Sequence, residues 1–399
     1  MEIPETWELR PMTEVADFIN GFPFKPSDWK KRGLPIVRIQ NLNDPRAEFN
    51  YFDGEIDETY VVDNEDLLLS WSASLGVYVW RRGTAVINQH IFKVLPRSSI
   101  DKRFLYYVAH KAIADLKKRV HGSTMTHFKR GELDATLIPI PPLLEQERIA
   151  SILSTVDDSI QKTDEIITET QRLKNGLTQH LMEKGIAHTE SEQTEIGMVP
   201  KGWRLVDCEE LCHEITVGIV VTPAKYYVDS GVSCLRSFNI LENAIDETDL
   251  VYISQEANKL HSKSILHAGD VVTVRTGKPG ISCVVPESLE GTNCVDLIIL
   301  RPDDRVESEF LSRFLNSENA RRQILSWQGG SMQQHLNITM IKQLRVPIPE
   351  KDEQEKIVEV LTTVEGKLRQ EGVRKTQLQR LKTGMMQALL TGRVRVGVD

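Results

Sequence analysis

Apolar positions spaced alternately by four and three run through residues 143–183: Ile149, Leu153, Val156, Ile160, Thr163, Ile167, Thr170, Leu177 and Leu181, with Lys174 in the vacant slot. The rhythm returns over residues 351–391 with Ile357, Leu361, Val364, Leu368, Glu371, Lys375, Leu378, Met385 and Leu389. This is the seam of two long helices that pair as a coiled coil. Thr163, Thr170, Glu371 and Lys375 are poor seam residues. Either the middle of each helix is weakly packed, or polar groups fix its register at a cost in stability. Prolines 139, 141, 142, 347 and 349 stand just upstream, where they force an extended entry. Each helix of about 40 residues would span roughly 60 Å at about 1.5 Å per residue.

The rest of the chain carries short β-patterned runs. Residues 34–39 and 232–236 are corresponding strands, as are 66–70 and 270–274, and each of the latter enters a loop of small residues, 72–76 or 276–280. Helices are expected at about 103–119 and 308–326. The pattern is α+β with a short-stranded sheet or barrel.

These correspondences belong to an internal repeat. Ile3-Pro4-Glu5-Thr6-Trp7 recurs as Val199-Pro200-Lys201-Gly202-Trp203, and Ile138-Pro139-Ile140-Pro141 with Glu145-Gln146-Glu147 recurs as Val346-Pro347-Ile348-Pro349 with Glu353-Gln354-Glu355. Gln171-Arg172-Leu173-Lys174-Asn175-Gly176 recurs as Gln379-Arg380-Leu381-Lys382-Thr383-Gly384. The offset grows from 196 at Trp7/Trp203, through 198 at Arg38/Arg236, to 208 at Gly122/Gly330, then stays constant to Met182/Leu390. Loops on a scaffold change length freely; helices paired in register do not. The expected order is a globular unit over 1–142, a helix over 143–184, a linker over 185–198, a second unit over 199–350, a second helix over 351–391 and a tail over 392–399. The first helix delivers the chain to the second unit and the second sends it back, so the pair is antiparallel. A pseudo-twofold dumbbell follows, with residues 391–394 near the opening at 4–7.

Composition adds exclusions. No window of the 399 residues approaches 18 uninterrupted apolar positions, and the N-terminus has neither a basic nor an apolar leader region, so the expectation is a cytoplasmic protein without membrane contact. Five cysteines, all in the second half, are too few and too odd in number for a disulfide framework. A net charge of −8 argues mildly against nucleic acid. Its distribution reverses that: between Asp115 and Glu132 there is no acid, only Lys117, Lys118, Arg119, Lys129 and Arg130 with two histidines. Between Glu318 and Glu350 there are Arg321, Arg322, Lys342 and Arg345 with His335. These windows surround a Gly-Ser loop in each repeat, with Ser123, Thr124 and His127 in one and Ser331, Gln333, Gln334 and His335 in the other. Cations hold phosphates, while Gln and His reach base edges. Lys25, Lys30, Lys31 and Arg32 form a further basic cluster, and Ser72, Ser74, Arg275 and Lys278 lie on the small-residue loops. The alternative for each cluster is a solvated face.

The chain resembles, over nearly its whole length, the specificity (S) subunits of Type I restriction–modification systems. The resemblance rests on the Pro-x-x-Trp openings, the Gly-Ser loops, the Pro-Ile-Pro and Glu-Gln-Glu helix entries and the Gln-Arg-Leu-Lys-x-Gly runs, each present twice. It implies two target recognition domains, each reading half of a bipartite double-stranded DNA sequence. The helices would be a spacer that docks two methyltransferase subunits and, through them, restriction subunits. It implies no catalysis and no cofactor for this chain: S-adenosylmethionine, ATP and Mg²⁺ belong to the partners. The residues agree, since an Asn-Pro-Pro-Phe-type methylation motif, a Gly-x-Gly cofactor loop and a complete phosphate-binding loop are all missing. Cys208-x-x-x-Cys212 with His213 has no second ligand pair for zinc. A coiled-coil adaptor joining two protein-binding domains is the competing reading.

Overall fold

The computed structural model describes residues 3–72, 74–120, 130–327 and 335–397. The chain divides into two compact units, residues 1–165 with 373–399, and residues 166–372. The long helices span Leu143–Lys184 and Lys351–Leu389, so each unit takes the start of one and the end of the other.

Unit 1 carries two four-stranded sheets. One is antiparallel, in the order Ala16–Asn20, Ile91–Pro96, Leu67–Ser70, Gly76–Val79. The other runs Asn50–Phe52, Leu34–Val37, Ala85–Ile87, Val61–Val62, with its central pair parallel. Unit 2 repeats the plan with Cys212–Val217, Leu297–Pro302, Val271–Val274 and Ser282–Val284 antiparallel. Its second sheet is ordered Tyr227–Val228, Val251–Ile253, Val232–Leu235, Asn293–Cys294, the last pair parallel. In both units a two-stranded ribbon joins the opening to the helix entry: Glu8–Pro11 with Leu137–Ile140, and Arg204–Asp207 with Arg345–Ile348. Prolines 139 and 347 sit in these ribbons, where a missing N–H costs little.

The helix expected at 103–119 is Lys102–Val120. Its counterpart at 308–326 is broken into Ser308–Leu315 and Glu318–Trp327. The Asn316 side chain accepts from Ser282 N at 2.9 Å and donates to Ser282 O at 2.8 Å and Asn243 Oδ1 at 2.9 Å. Ser317 Oγ then accepts from Ala320 N at 3.3 Å and starts a new helix.

Each core is assembled from both long helices. In unit 1, Ile149 and Leu153 from the first and Leu389 and Leu390 at the end of the second pack with Trp7, Phe104 and Leu105. In unit 2, Leu181 and Met182 join Ile357 and Leu361 around Trp203, Phe310 and Phe314. Val156 is also buried, whereas Ile160, Val364 and Leu368 are half-buried. Further along, charge takes over from packing. In unit 1 Lys382 Nζ lies 2.6 Å from Asp157 and Lys375 Nζ 2.6 Å from Asp164, so one helix's numbers fall as the other's rise and the pair is antiparallel. In unit 2 Lys174, from the vacant slot, meets Glu365 at 3.8 Å and Glu242 at 3.4 Å. Lys174 and Lys382 are repeat equivalents, as are Glu365 and Asp157, so the same cross-helix pair is built twice.

The Glu-Gln-Glu entries have an equally specific role. Glu145 is fully buried and accepts from the Trp7 indole N–H at 3.0 Å and from Arg395 at 2.7 and 2.8 Å. Glu353 accepts from the Trp203 indole at 3.1 Å and from Ile186 N at 2.7 Å, with His188 Nε2 at 3.0 Å. The next residue braces the entry: Gln146 Nε2 donates to Pro141 O and Ser99 O, and Gln354 Nε2 to Pro349 O and Arg305 O. After each helix a glycine in the left-handed region turns the chain into this clasp, Gly185 at φ 61° and Gly392 at φ 71°. A Cβ on Gly392 would lie 2.5 Å from Pro4 Cδ, which puts residues 391–394 against the 4–7 opening.

Burial pushes the Glu145 carboxyl up, but the Arg395 guanidinium and the Trp7 indole N–H outweigh it and hold it below the usual carboxylate value. The stability contributed by this group is therefore complete above about pH 4.3, its ordinary value, and is lost as pH falls through the lower folded value. Glu145→Gln should destabilise unit 1 by about 2 kcal/mol at pH 7. Thermal melts of the two proteins should converge as pH drops below about 4. A gap that persists at acid pH would contradict the charge-based account.

Candidate nucleic-acid interface

The two small-residue loops leave equivalent strands of the antiparallel sheets. In unit 2 the chain passes from Val271–Val274 through Arg275 and Thr276, turns at Gly277 (φ 94°) and Gly280 (φ 96°), and returns as Ser282–Val284. His335 is brought to this loop. It bridges Thr276 in antiparallel register, its Nδ1 lies 3.0 Å from Thr276 Oγ1, and Leu336 N donates to Arg275 O at 2.9 Å. Lys278 and Arg321 are exposed and line one cleft of about 450 Å³ beside Gly277, Gly280 and Asn316. Glu242 also lines it, within reach of Lys174. Two predicted cations are engaged: Arg275 pairs with Asp296 at 3.1 Å and Arg322 with Glu183 at 3.4 Å.

In unit 1, Trp71 stands where Arg275 stands in unit 2, and its indole N–H donates to Gln89 O at 3.1 Å and Asn20 Oδ1 at 3.2 Å. Ser74 is half-buried and its carbonyl accepts from Ser70 Oγ. Ser72 is buried. Lys117 and Lys118 are exposed near the end of the Lys102–Val120 helix, with Lys118 3.8 Å from Asp115. Arg119 and Arg130 belong to the helices Lys102–Val120 and Arg130–Ala135. Lys25, Lys30, Lys31 and Arg32 are all exposed, but they lie by the second sheet, where Lys30 N donates to Tyr51 O at 2.8 Å. Ser123, Thr124, His127, Lys129, Ser331, Gln333 and Gln334 lie outside the described residues.

The model of the Type I restriction modification DNA specificity domain matches this chain twice, over residues 4–172 and 200–380. The chain belongs to this family. Both matches begin at a Pro-x-x-Trp opening and run into a long helix, so the family's domain is the repeat itself. Among relatives, the chain is 24% identical to the Type I restriction enzyme MjaVIII specificity subunit of Methanocaldococcus jannaschii, covering 99% of this chain and 95% of that one. It is 24% identical to the EcoBI specificity subunit of Escherichia coli, covering 90% and 79%. The crystal structure of a Type I restriction-modification S subunit from M. genitalium shares the fold, with a TM-score of 0.60, 14% identity and 98% of each chain covered.

A hydrogen bond with Cys212 and burial hold the Cys208 thiol well above its ordinary value, and burial pushes Cys234 and Cys283 up to about 12. Among the described residues, no helix is long and apolar enough to cross a membrane.

Sequence reasoning passed over one shared feature near the loops. Arg38-Ile39-Gln40-Asn41 and Arg236-Ser237-Phe238-Asn239 form the same turn, with the arginine N–H donating to the asparagine Oδ1 at 3.0 and 2.9 Å. The offset of 198 at Arg38/Arg236 was its only signal.

The Thr276–His335 bridge should be the anchor of its loop. His335→Ala is expected to speed amide hydrogen exchange at Leu336 and Ser282 several-fold while leaving Val272 and Thr273, in the buried strand, unchanged. Equal protection in both proteins would show that the backbone alone holds the loop.

Proposed function

We propose that this chain is the DNA-reading subunit of a Type I restriction–modification complex, that each unit reads one half of a bipartite duplex target, and that the chain is not itself catalytic. The observation that carries the reading is a duplicated framework whose two copies differ in their loops. Each unit keeps the same antiparallel sheet, helix entry and carboxylate clasp, yet one places Trp71 and Ser74 where the other places Arg275 and Lys278. That is what two readers of different half-sites require: a fixed scaffold and unlike loop chemistry.

Lys278, Arg321, Lys117 and Lys118 serve phosphates in this reading, and His335 serves base edges. The long helices act as the spacer and as the docking surface for two methyltransferase subunits, which bring restriction subunits. S-adenosylmethionine, ATP and Mg²⁺ are bound by those partners. The relatives named above as specificity subunits support this assignment.

Two tests bear on it. Replacing Lys278 and Arg321 by alanine in the assembled complex should weaken binding across all sequences, and the slope of log K against log salt should fall by roughly 0.9 for every phosphate no longer neutralised. An unchanged slope would assign the two cations to a solvated face. One heptad added to both long helices should alter the accepted gap between half-sites and leave each half-site's sequence as it was; changed half-sites would refute the spacer role. Methylation or cleavage of DNA by the purified chain alone, given S-adenosylmethionine or Mg²⁺, would overturn the non-catalytic assignment.

A further inference from the structure

The twice-built arginine-to-asparagine turn points to a site of its own. Its framework is the same in both units. Asn41 and Asn239 are buried, and after accepting the arginine N–H each donates its amide to two carbonyls of the following segment, those of Ala47 and Glu48 or of Asp246 and Asp249. A side chain so fully bonded leaves the turn little freedom. In both units the segment that follows the turn is braced onto the strand that leaves the small-residue loop. In unit 1 the Tyr78 hydroxyl donates to Asn43 Oδ1 at 2.8 Å, and in unit 2 Asn243 N donates to Ser282 O at 2.9 Å. In unit 2, Glu242 of the hairpin that follows the turn lines the cleft that holds Lys278 and Arg321.

What the turn holds out differs between the copies. Gln40 is exposed in unit 1, and at the equivalent position Phe238 is 86% exposed, the most solvent-accessible large apolar side chain among the described residues. A scattered exposed apolar residue needs no explanation. This one sits at the tip of a rigid turn whose hairpin reaches the Lys278 and Arg321 cleft, at a position that the other copy fills with an amide.

We propose that this tip is a base-contacting position in each unit, with Gln40 hydrogen-bonding the edge of an adenine and Phe238 making an apolar contact with a base in the other half-site. A glutamine amide offers a donor and an acceptor at the spacing of adenine N6 and N7. A phenyl ring offers neither, and meets a thymine methyl or the face of an unstacked base. The pair thus contributes to the asymmetry of the target. This inference rests on the DNA-reading function proposed above and adds to it two named positions.

Selection from a library of randomised duplexes, using the full chain purified with the subunits that accompany it in its host, tests it. Phe238→Ala should erase about tenfold or more of the discrimination at one or two adjacent positions of one half-site. Gln40→Ala should do the same in the other half-site only, and the salt slope should stay unchanged in both. Both side chains are exposed, so melting temperatures equal to the unmodified protein's are the expected control. Identical selected sequences for all three proteins would overturn the proposal while leaving the DNA-reading function standing. Absence of any selected sequence for the unmodified complex would overturn both.

Discussion

A carboxylate that is taken out of water has to be met by donors, and this single requirement organises each unit. Glu145 and Glu353 are met by an indole N–H from the opening and by groups that follow the end of the other long helix. In unit 1 three segments far apart in sequence are therefore tied at one buried point, and in unit 2 the half-buried Glu353 ties the start of its helix to the segment from Ile186 to Trp203. Leaving such a charge unpaired costs several kcal/mol, about as much as a large core truncation. The clasp fixes where each helix begins and where its neighbour ends. Once those ends are set, the phase of the pair is set too, and Asp157 meets Lys382 as Glu365 meets Lys174.

This division of labour explains why the two copies diverge where they do. At the helix entry the proline ribbon and the glutamine brace keep their spacing to the clasp carboxylate in both copies, and the glycine after each helix shifts by a single residue. The sheets beyond it are joined by surface connections whose length is free. Unit 1 adds Val61–Val62 beside Ala85–Ile87, whereas unit 2 spends the corresponding stretch on the Gln255–Leu260 helix and places Tyr227–Val228 on the opposite edge. Neither change reaches the paired helices.

The repeat, the α+β class and the long helices were legible because each depends on periodicity or on duplicated local sequence. Thr163 and Lys174 were visible as misfits in the heptad, but their reasons were not. Thr163 satisfies itself by donating to Ser159 O at 2.8 Å, while Lys174 needs a partner 191 positions away. The broken helix at Asn316 was hidden for a similar cause, since its side chain is claimed by Ser282 and Asn243 through tertiary contacts that no local propensity encodes. Basic clusters were easy to find and hard to rank. Arg275 and Lys278 look alike in sequence, yet an aspartate stands beside the first, and among the described residues no carboxylate forms an ion pair with the second. Ser72 and Ser74 differ in burial although both lie on one short loop.

The shared cores also impose an order on biosynthesis. Unit 2 is complete once residue 372 has been made, because both helical segments that close it precede that point. Unit 1 has most of its strands by residue 140, but Leu389, Leu390 and Arg395 arrive some 250 residues later. Throughout that interval Trp7, Ile149 and Leu153 lack their cover, and Glu145 lacks its cation. The first unit to emerge from the ribosome is thus the last to close, and a chain that stops short of its final helix carries an open apolar face that marks it for chaperones and proteases.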